Sequence, residues 1–259
     1  PLLPAWQARP HQKEAADAML EALRIKRVGF LLADDVGVGK TISAWDFALR
    51  SPLKKILIVT TVAAIPHWRN TLLHVGWGDK EVVIINYDRL GKLFDMTEKN
   101  VSTRAKGKRK RVATNGEPES FDLIIFDEAH KGKNLTSARS VMMRRLSQRA
   151  KFTVWASATA GQDPLELAYL ATLLAQVTGS RLSDMKEFEQ WCVSQNLGVS
   201  RGSFGKWQWN GDRQALQKIR SWLFEGKVPA GIRRLPQDVA GWQAMERQIV
   251  PVGLSPEET

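Results

Sequence analysis

The chain has 259 residues, 43% of them hydrophobic, with a formal net charge of +11 at pH 7 and a single cysteine, Cys192. That is apolar material for one large domain or two small ones, and it excludes a disordered chain, an intrachain disulfide and a cysteine metal cluster. The basic balance points to an anionic partner, with nucleic acid the economical choice because no apolar run of transmembrane length and no amphipathic anchor occurs.

The opening Pro1-Leu2-Leu3-Pro4-Ala5 lacks a basic head and a long apolar segment, so an intracellular protein, cytoplasmic or nuclear, is expected, and a start without Met suggests trimming. Residues 10–26 carry Ala15, Ala16, Met19, Leu20 and Leu23 at helical spacing. At the head of that helix Gln12 offers a donor and an acceptor together, which match the N6 and N7 edge of adenine; it reads equally as a solvated residue of a helix start.

A short apolar strand, residues 30–33, then breaks into Asp34-Asp35-Val36-Gly37-Val38-Gly39-Lys40-Thr41 and a helix over residues 40–50. This reads as a phosphate-binding loop. Gly37 and Gly39 let backbone N–H groups of residues such as Asp35 and Val38 curl around anionic oxygens. The helix start adds its positive dipole end, Lys40 can reach the outer phosphates, and the Thr41 hydroxyl can ligate Mg²⁺. Asp34 stands where the general pattern has a glycine. The plain alternative is a turn between a buried strand and an ordinary helix.

The β-branched run of residues 55–61, ending in Thr60-Thr61, predicts a strand buried on both faces. Ile65-Pro66-His67-Trp68 opens a helix, with Pro66 near its first turn. Residues 82–86 form the next strand, ending at Asn86 before Tyr87-Asp88. Residues 95–120 interrupt the rhythm with Lys99, Arg104, Lys106, Lys108, Arg109, Lys110 and Arg111, and read as an inserted basic loop that either tracks a phosphate backbone or is merely solvated.

The buried strand over residues 121–126 delivers Asp127-Glu128-Ala129-His130 to its end. An acidic pair at the C-terminal end of a parallel strand lies where an open α/β sheet binds ligands. Asp127 can hold Mg²⁺ and Glu128 can orient and deprotonate a water; with Lys40, these are the candidate catalytic residues for ATP or GTP hydrolysis. A helix over residues 137–148 leads to a strand over 152–156 and then to Ser157-Ala158-Thr159, whose hydroxyls, with His130, can relay the state of the terminal phosphate. Further helical patterns cover residues 183–193 and 212–224. Between them, residues 202–211 alternate like a hairpin, with Trp207 and Trp209 suited to packing or, less commonly, to base stacking. Four scattered histidines lack ligand spacing, so zinc is not expected. The fold class is α/β, a doubly wound, mainly parallel sheet flanked by helices.

Taken in order, Gln12, the loop of residues 34–41, the strand and helix of residues 56–68, Ile85-Asn86-Tyr87, Asp127-Glu128-Ala129-His130 and Ser157-Ala158-Thr159 resemble the first RecA-like lobe of superfamily-two helicases. More narrowly, the chain resembles the Swi/Snf-type double-stranded DNA translocases. That likeness rests on Asp34 in place of the first glycine, on Lys133-Asn134, on Gly161-Gln162-Asp163-Pro164-Leu165-Glu166-Leu167 and on Arg233-Arg234-Leu235-Pro236-Gln237-Asp238-Val239. The resemblance covers nearly all of residues 1–259 and implies an ATP- and Mg²⁺-dependent motor tracking on duplex DNA. It assigns phosphate and Mg²⁺ to Lys40 and Thr41, Mg²⁺ to Asp127, water activation to Glu128, adenine to Gln12, and the border of the DNA path to Thr60, Thr61, Asn86 and Tyr87, with Lys133 a further candidate. Ser157-Ala158-Thr159-Ala160 departs from the family's Thr-Gly-Thr-Pro and looks like the relay of unwinding helicases. A strand-separating helicase and a nucleotide-switched binding module therefore stay open. The resemblance also implies a second RecA-like lobe outside this chain, which stops where Val250-Pro251-Val252-Gly253 would lead to it. A monomer is expected, with poor ATP hydrolysis by this lobe alone.

Overall fold

The computed structural model describes residues 7–94, 117–134 and 137–239. Most of the basic insert and the run from Val250 onward lie outside the described residues. The chain begins with α1 (Pro10–Arg24), where Pro10 occupies a first-turn position that needs no N–H donor, and continues into β1 (Gly29–Leu32). Then follow α2 (Lys40–Arg50), β2 (Lys55–Thr60), α3 (Ile65–Val75) and β3 (Glu81–Asn86). After the insert come β4 (Leu123–Asp127), α4 (Ala138–Arg149) and β5 (Phe152–Ala156).

The remainder comprises α5 (Ala171–Thr178), α6 (Phe188–Ser194), the strands β6 (Val199–Arg201) and β7 (Trp207–Trp209), α7 (Arg213–Phe224) and β8 (Gly231–Ile232). The expected helix over residues 183–193 differs in its first part: Leu182–Glu187 is a 3-10 turn, and α-helix begins only at Phe188. The expected hairpin forms from β6 and β7. Trp207 and Trp209 are half-buried against the core, the packing reading of that pair.

Six strands make one sheet in the order β3-β2-β4-β5-β1-β8, and every pairing in it is parallel. Successive side chains in a strand point to opposite faces, so a sheet covered on both sides needs apolar residues at every position. Phe30, Leu32, Ile56, Ile58, Leu123, Ile125 and Val154 pack with α1, α2 and Trp68 on one face. Leu31, Leu57, Val59, Ile124, Phe126 and Trp155 pack with α4 to α7 on the other.

Topology explains that division. From β1 through β2 to β3 the chain moves one way across the sheet, and from β4 to β5 it moves back. Right-handed crossovers in opposite directions place their helices on opposite faces. The reversal also sets β5 between β1 and β4, so the carboxyl ends of β1 and β4 stand two strand spacings apart, roughly 10 Å. The insert is grafted at one point: Phe94 and Pro118 form an antiparallel bridge, and the Glu119 N–H donates to the Leu93 carbonyl at 2.7 Å, so its two ends leave and return together.

Candidate nucleotide-binding site

The loop between β1 and α2 depends on two left-handed glycines, Gly37 (φ 81°) and Gly39 (φ 97°). A side chain at Gly39 would be strained by that φ and would also strike the Gln12 amide. Lys40 opens α2 and folds back into the loop, its ammonium donating to the carbonyls of Asp34 (2.9 Å) and Asp35 (3.1 Å). Thr41 is half-buried in the first turn of α2, while Asp35 and Val36 close the outer side, with the Val36 N–H on the Asp35 carboxylate at 2.7 Å. The head of α1 braces the loop: His11 Nε2 lies 2.9 Å from the Val38 carbonyl, and Gln12, buried beside Gly39, accepts the Arg9 N–H through Oε1 at 2.9 Å.

At the end of β4 the Asp127 carboxylate is buried and held from two sides. The Thr60 hydroxyl at the end of β2 and the Trp68 indole N–H on α3 both donate to its Oδ2, at 2.7 and 2.8 Å. Oδ1 takes neither bond. Tyr87, just past β3, donates its hydroxyl to the Asp127 carbonyl at 2.7 Å, and burial raises the pKa of that phenol well above its ordinary value.

Glu128 then turns the chain off the strand in a left-handed conformation, φ 55°, unusual for a residue with a Cβ. Its carboxylate lies 3.2 Å from His130 Nδ1, which is also 3.0 Å from the Ser157 hydroxyl. Burial lowers the pKa of His130 and outweighs the opposing pull of Glu128, so a neutral ring links the two at neutral pH. Ser157 Oγ in turn accepts the Thr159 N–H at 3.2 Å, while the Ser157 N–H donates to the Leu32 carbonyl at 3.0 Å. Glu128, His130 and Ser157 thus run sideways from β4 to β5, and Ser157 is bonded to the strand that feeds the phosphate loop. The loop beyond Thr159 is fastened by the Tyr169 hydroxyl on the Ala160 carbonyl (2.6 Å) and by Glu166, which accepts the Gln162 N–H (2.9 Å) and pairs with Lys133 at 3.0 Å.

The structure therefore gathers Gln12, Asp35, Gly37, Val38, Gly39, Lys40 and Thr41 at one loop. It gathers Asp127, Glu128 and His130 two strands away on the same sheet edge, with Ser157 and Thr159 past the end of the strand between. Of the residues expected along a DNA path, Thr61 and Asn86 are half-buried, whereas Thr60 and Tyr87 are buried and bonded to Asp127. At the end of β2 the pleat turns the last residue, Thr60, inward and its neighbour Thr61 out; past β3 it is Tyr87, opening the next turn, that faces inward while Asn86 does not. Sequence reasoning missed Trp68 and His11. A buried indole placed one helical turn beyond a strand that neighbours the acidic strand was the available signal for the first; His11 carried none.

A parallel sheet whose first strand feeds a glycine-turned phosphate loop, and whose next-but-one strand ends in an acidic pair, defines a P-loop lobe of RecA-like fold. Residues 5–161 match the family described as "Type III restriction enzyme, res subunit", and the chain belongs to that family. It is similar to the Bacillus subtilis protein named "Uncharacterized ATP-dependent helicase YqhH", with 26% identity over 197 residues, 73% of this chain and 32% of the relative. It is also similar to the Saccharomyces cerevisiae "ISWI chromatin-remodeling complex ATPase ISW1", 26% identical over 73% of this chain and 17% of the relative. Mouse "DNA repair and recombination protein RAD54B" is 26% identical over 70% of this chain and 22% of its own length. The chain spans about a third or less of these curated relatives. Among solved structures, the Sulfolobus solfataricus SWI2/SNF2 ATPase core in complex with dsDNA superposes with a TM-score of 0.58 at 17% identity, over 90% of this chain and 46% of that one.

Proposed function

We propose that the chain is the first, ATP-binding lobe of a motor that hydrolyses ATP and moves along double-stranded DNA without separating it, as an intracellular protein with a second RecA-like lobe supplied outside these residues. The observation that carries this reading is the mounting of Asp127. Its carboxylate and carbonyl are gripped by Thr60, Trp68 and Tyr87, and the adjacent Thr61 and Asn86 are the positions offered to a DNA backbone. A strain at that edge reaches the acidic motif through single hydrogen bonds.

In this reading Gln12 recognises adenine, and the N–H groups of the loop with Lys40 take the phosphates, Lys40 giving up its carbonyl partners to do so. The oxygen donors Thr41 and Asp127 suit Mg²⁺, an ion that keeps water and substrate phosphate among its ligands; among the described residues no group of three or more acidic, His or Cys side chains forms a closed metal cage. Mg²⁺ would neutralise charge on the phosphates. Glu128 orients and deprotonates the attacking water, and His130 with Ser157 and Thr159 carries the state of the site across β5. Lys133 contributes to the nucleic-acid side, its charge tempered by Glu166. The +11 charge supports a polyanionic partner. A second reading, strand separation, is favoured by one feature only, the Ser157-Ala158-Thr159 relay.

The test is ATPase activity of the full-length protein on duplex DNA, single-stranded DNA and RNA at matched salt, with Glu128→Gln as control. Stimulation chiefly by duplex DNA and its loss in the variant is expected. Stimulation chiefly by single strands or RNA would replace this reading with the helicase, and indifference to all three with a nucleotide switch.

A further inference from the structure

Asp34 breaks the general phosphate-loop pattern, and Arg234 sits in the run 233–239, to which the proposed motor assigns no task. Although 200 residues apart, they form one bidentate ion pair: Arg234 Nε lies 3.1 Å from Asp34 Oδ1 and Nη2 2.5 Å from Oδ2. The Arg234 backbone N–H also donates to Oδ1, at 2.9 Å, and Nη1 donates to the His11 carbonyl. Asp34 is 0% exposed and the Arg234 side chain 11%.

Backbone pairing delivers Arg234 to this spot. The N–H groups of Leu31, Ala33 and Asp35 donate in turn to the carbonyls of Ala230, Ile232 and Arg234, at 2.9, 2.8 and 2.9 Å. The ladder begun by β1 and β8 thus continues into the first half of the phosphate loop. Three groups converge on one guanidinium: the Asp34 carboxylate from the loop, the His11 carbonyl and, at 3.6 Å, the Glu14 carboxylate from α1.

Electrostatics gives this a direction. A carboxylate at the mouth of a phosphate loop repels an anionic ligand, and burying it unpaired is costly. Arg234 cancels the charge and supplies a rigid fork that lysine cannot reproduce.

We propose that Arg234 is a positioning residue for the nucleotide: with Asp34 it fixes the first half of the phosphate loop and offsets the Asp34 charge there, so ATP affinity depends on the run 233–239. The inference rests on the ATP-site reading. It is tested in the full-length protein by titrating N-methylanthraniloyl-ATP and by steady-state ATPase kinetics.

Arg234→Gln should weaken binding about tenfold or more and raise KM for ATP while kcat at saturation is kept. Adding Asp34→Asn should restore most of the affinity, because the unpaired carboxylate is gone. Arg234→Lys should fall between wild type and Arg234→Gln, and serves if the glutamine variant does not fold. Unchanged affinity beside a lowered melting temperature, or a double variant no tighter than Arg234→Gln, overturns the inference. A wild-type protein that does not bind the probe instead refutes the ATP reading beneath it.

Discussion

Trp68 is the residue whose substitution says most about the acidic motif. Among the described residues its indole N–H is one of two donors to Asp127 Oδ2, and phenylalanine would keep most of its buried ring while removing that bond. A hydrogen bond to a charged group contributes about 1.5–3 kcal/mol, which in a positioning role is roughly a tenfold or greater loss of turnover. Trp68→Phe should therefore lower DNA-stimulated kcat with KM for ATP little changed; an unaltered kcat would mean that Thr60 alone orients the carboxylate. Gly39 supports a second expectation. Its φ of 97° strains any side chain, and a methyl group there would have to push the Gln12 amide aside, so Gly39→Ala should sharply weaken binding of N-methylanthraniloyl-ATP in a protein that still melts cooperatively. Retained binding would show that the loop relaxes around Gln12.

At the other edge of the sheet, Asp122 joins the starts of three strands. Its Oδ2 accepts the N–H groups of Lys54 and Lys55 at 2.9 and 3.0 Å, and its Oδ1 pairs with Lys151 at 2.8 Å. Lys151, then the two backbone donors, lower its pKa to about 2. A carboxyl whose pKa is depressed by folding stabilises the protein at pH values above the unfolded carboxylate's, near 3.9, and that contribution is lost as pH falls towards 2. With solvent screening at the sheet edge its size is about 1 kcal/mol. Asp122→Asn should lower the melting temperature at pH 7 and remove part of the slope of stability between pH 4 and 2, followed by thermal melts across that range; identical slopes in both proteins would count against the clamp. The strands it joins were legible in the sequence because burial on both faces leaves unbroken apolar runs, as at Ile56 to Val59 and Leu123 to Phe126. The phosphate loop and acidic pair were legible because their chemistry is local. That Thr60 and Tyr87 are buried on Asp127 was not legible, because a hydroxyl at a strand end does not reveal which way it faces. Arg234 was recognised as part of a run but not as the partner of Asp34, since nothing in the chain links residues 200 apart until β8 joins β1.

Across the whole molecule, one sheet edge carries both the phosphate loop and the acidic pair, and the described residues place no arginine on either Asp127 or Glu128. Arg234, which does approach the loop, is engaged by Asp34 and the His11 carbonyl. Phosphoryl transfer develops charge that a P-loop site commonly balances with an arginine from a facing domain, a contribution of about 10³- to 10⁵-fold. The chain covers 32% or less of the length of the relatives cited above, which leaves room in such proteins for a facing lobe. The 259-residue chain alone should thus bind N-methylanthraniloyl-ATP, because Gln12, Lys40 and the loop N–H groups are all its own. Yet it should turn ATP over at least about a hundredfold more slowly than the full-length protein, with little response to duplex DNA. Single-turnover hydrolysis by both forms at saturating ATP measures this directly. Equal rates would place every charge-balancing group within these residues and remove the need for a second lobe in the chemical step.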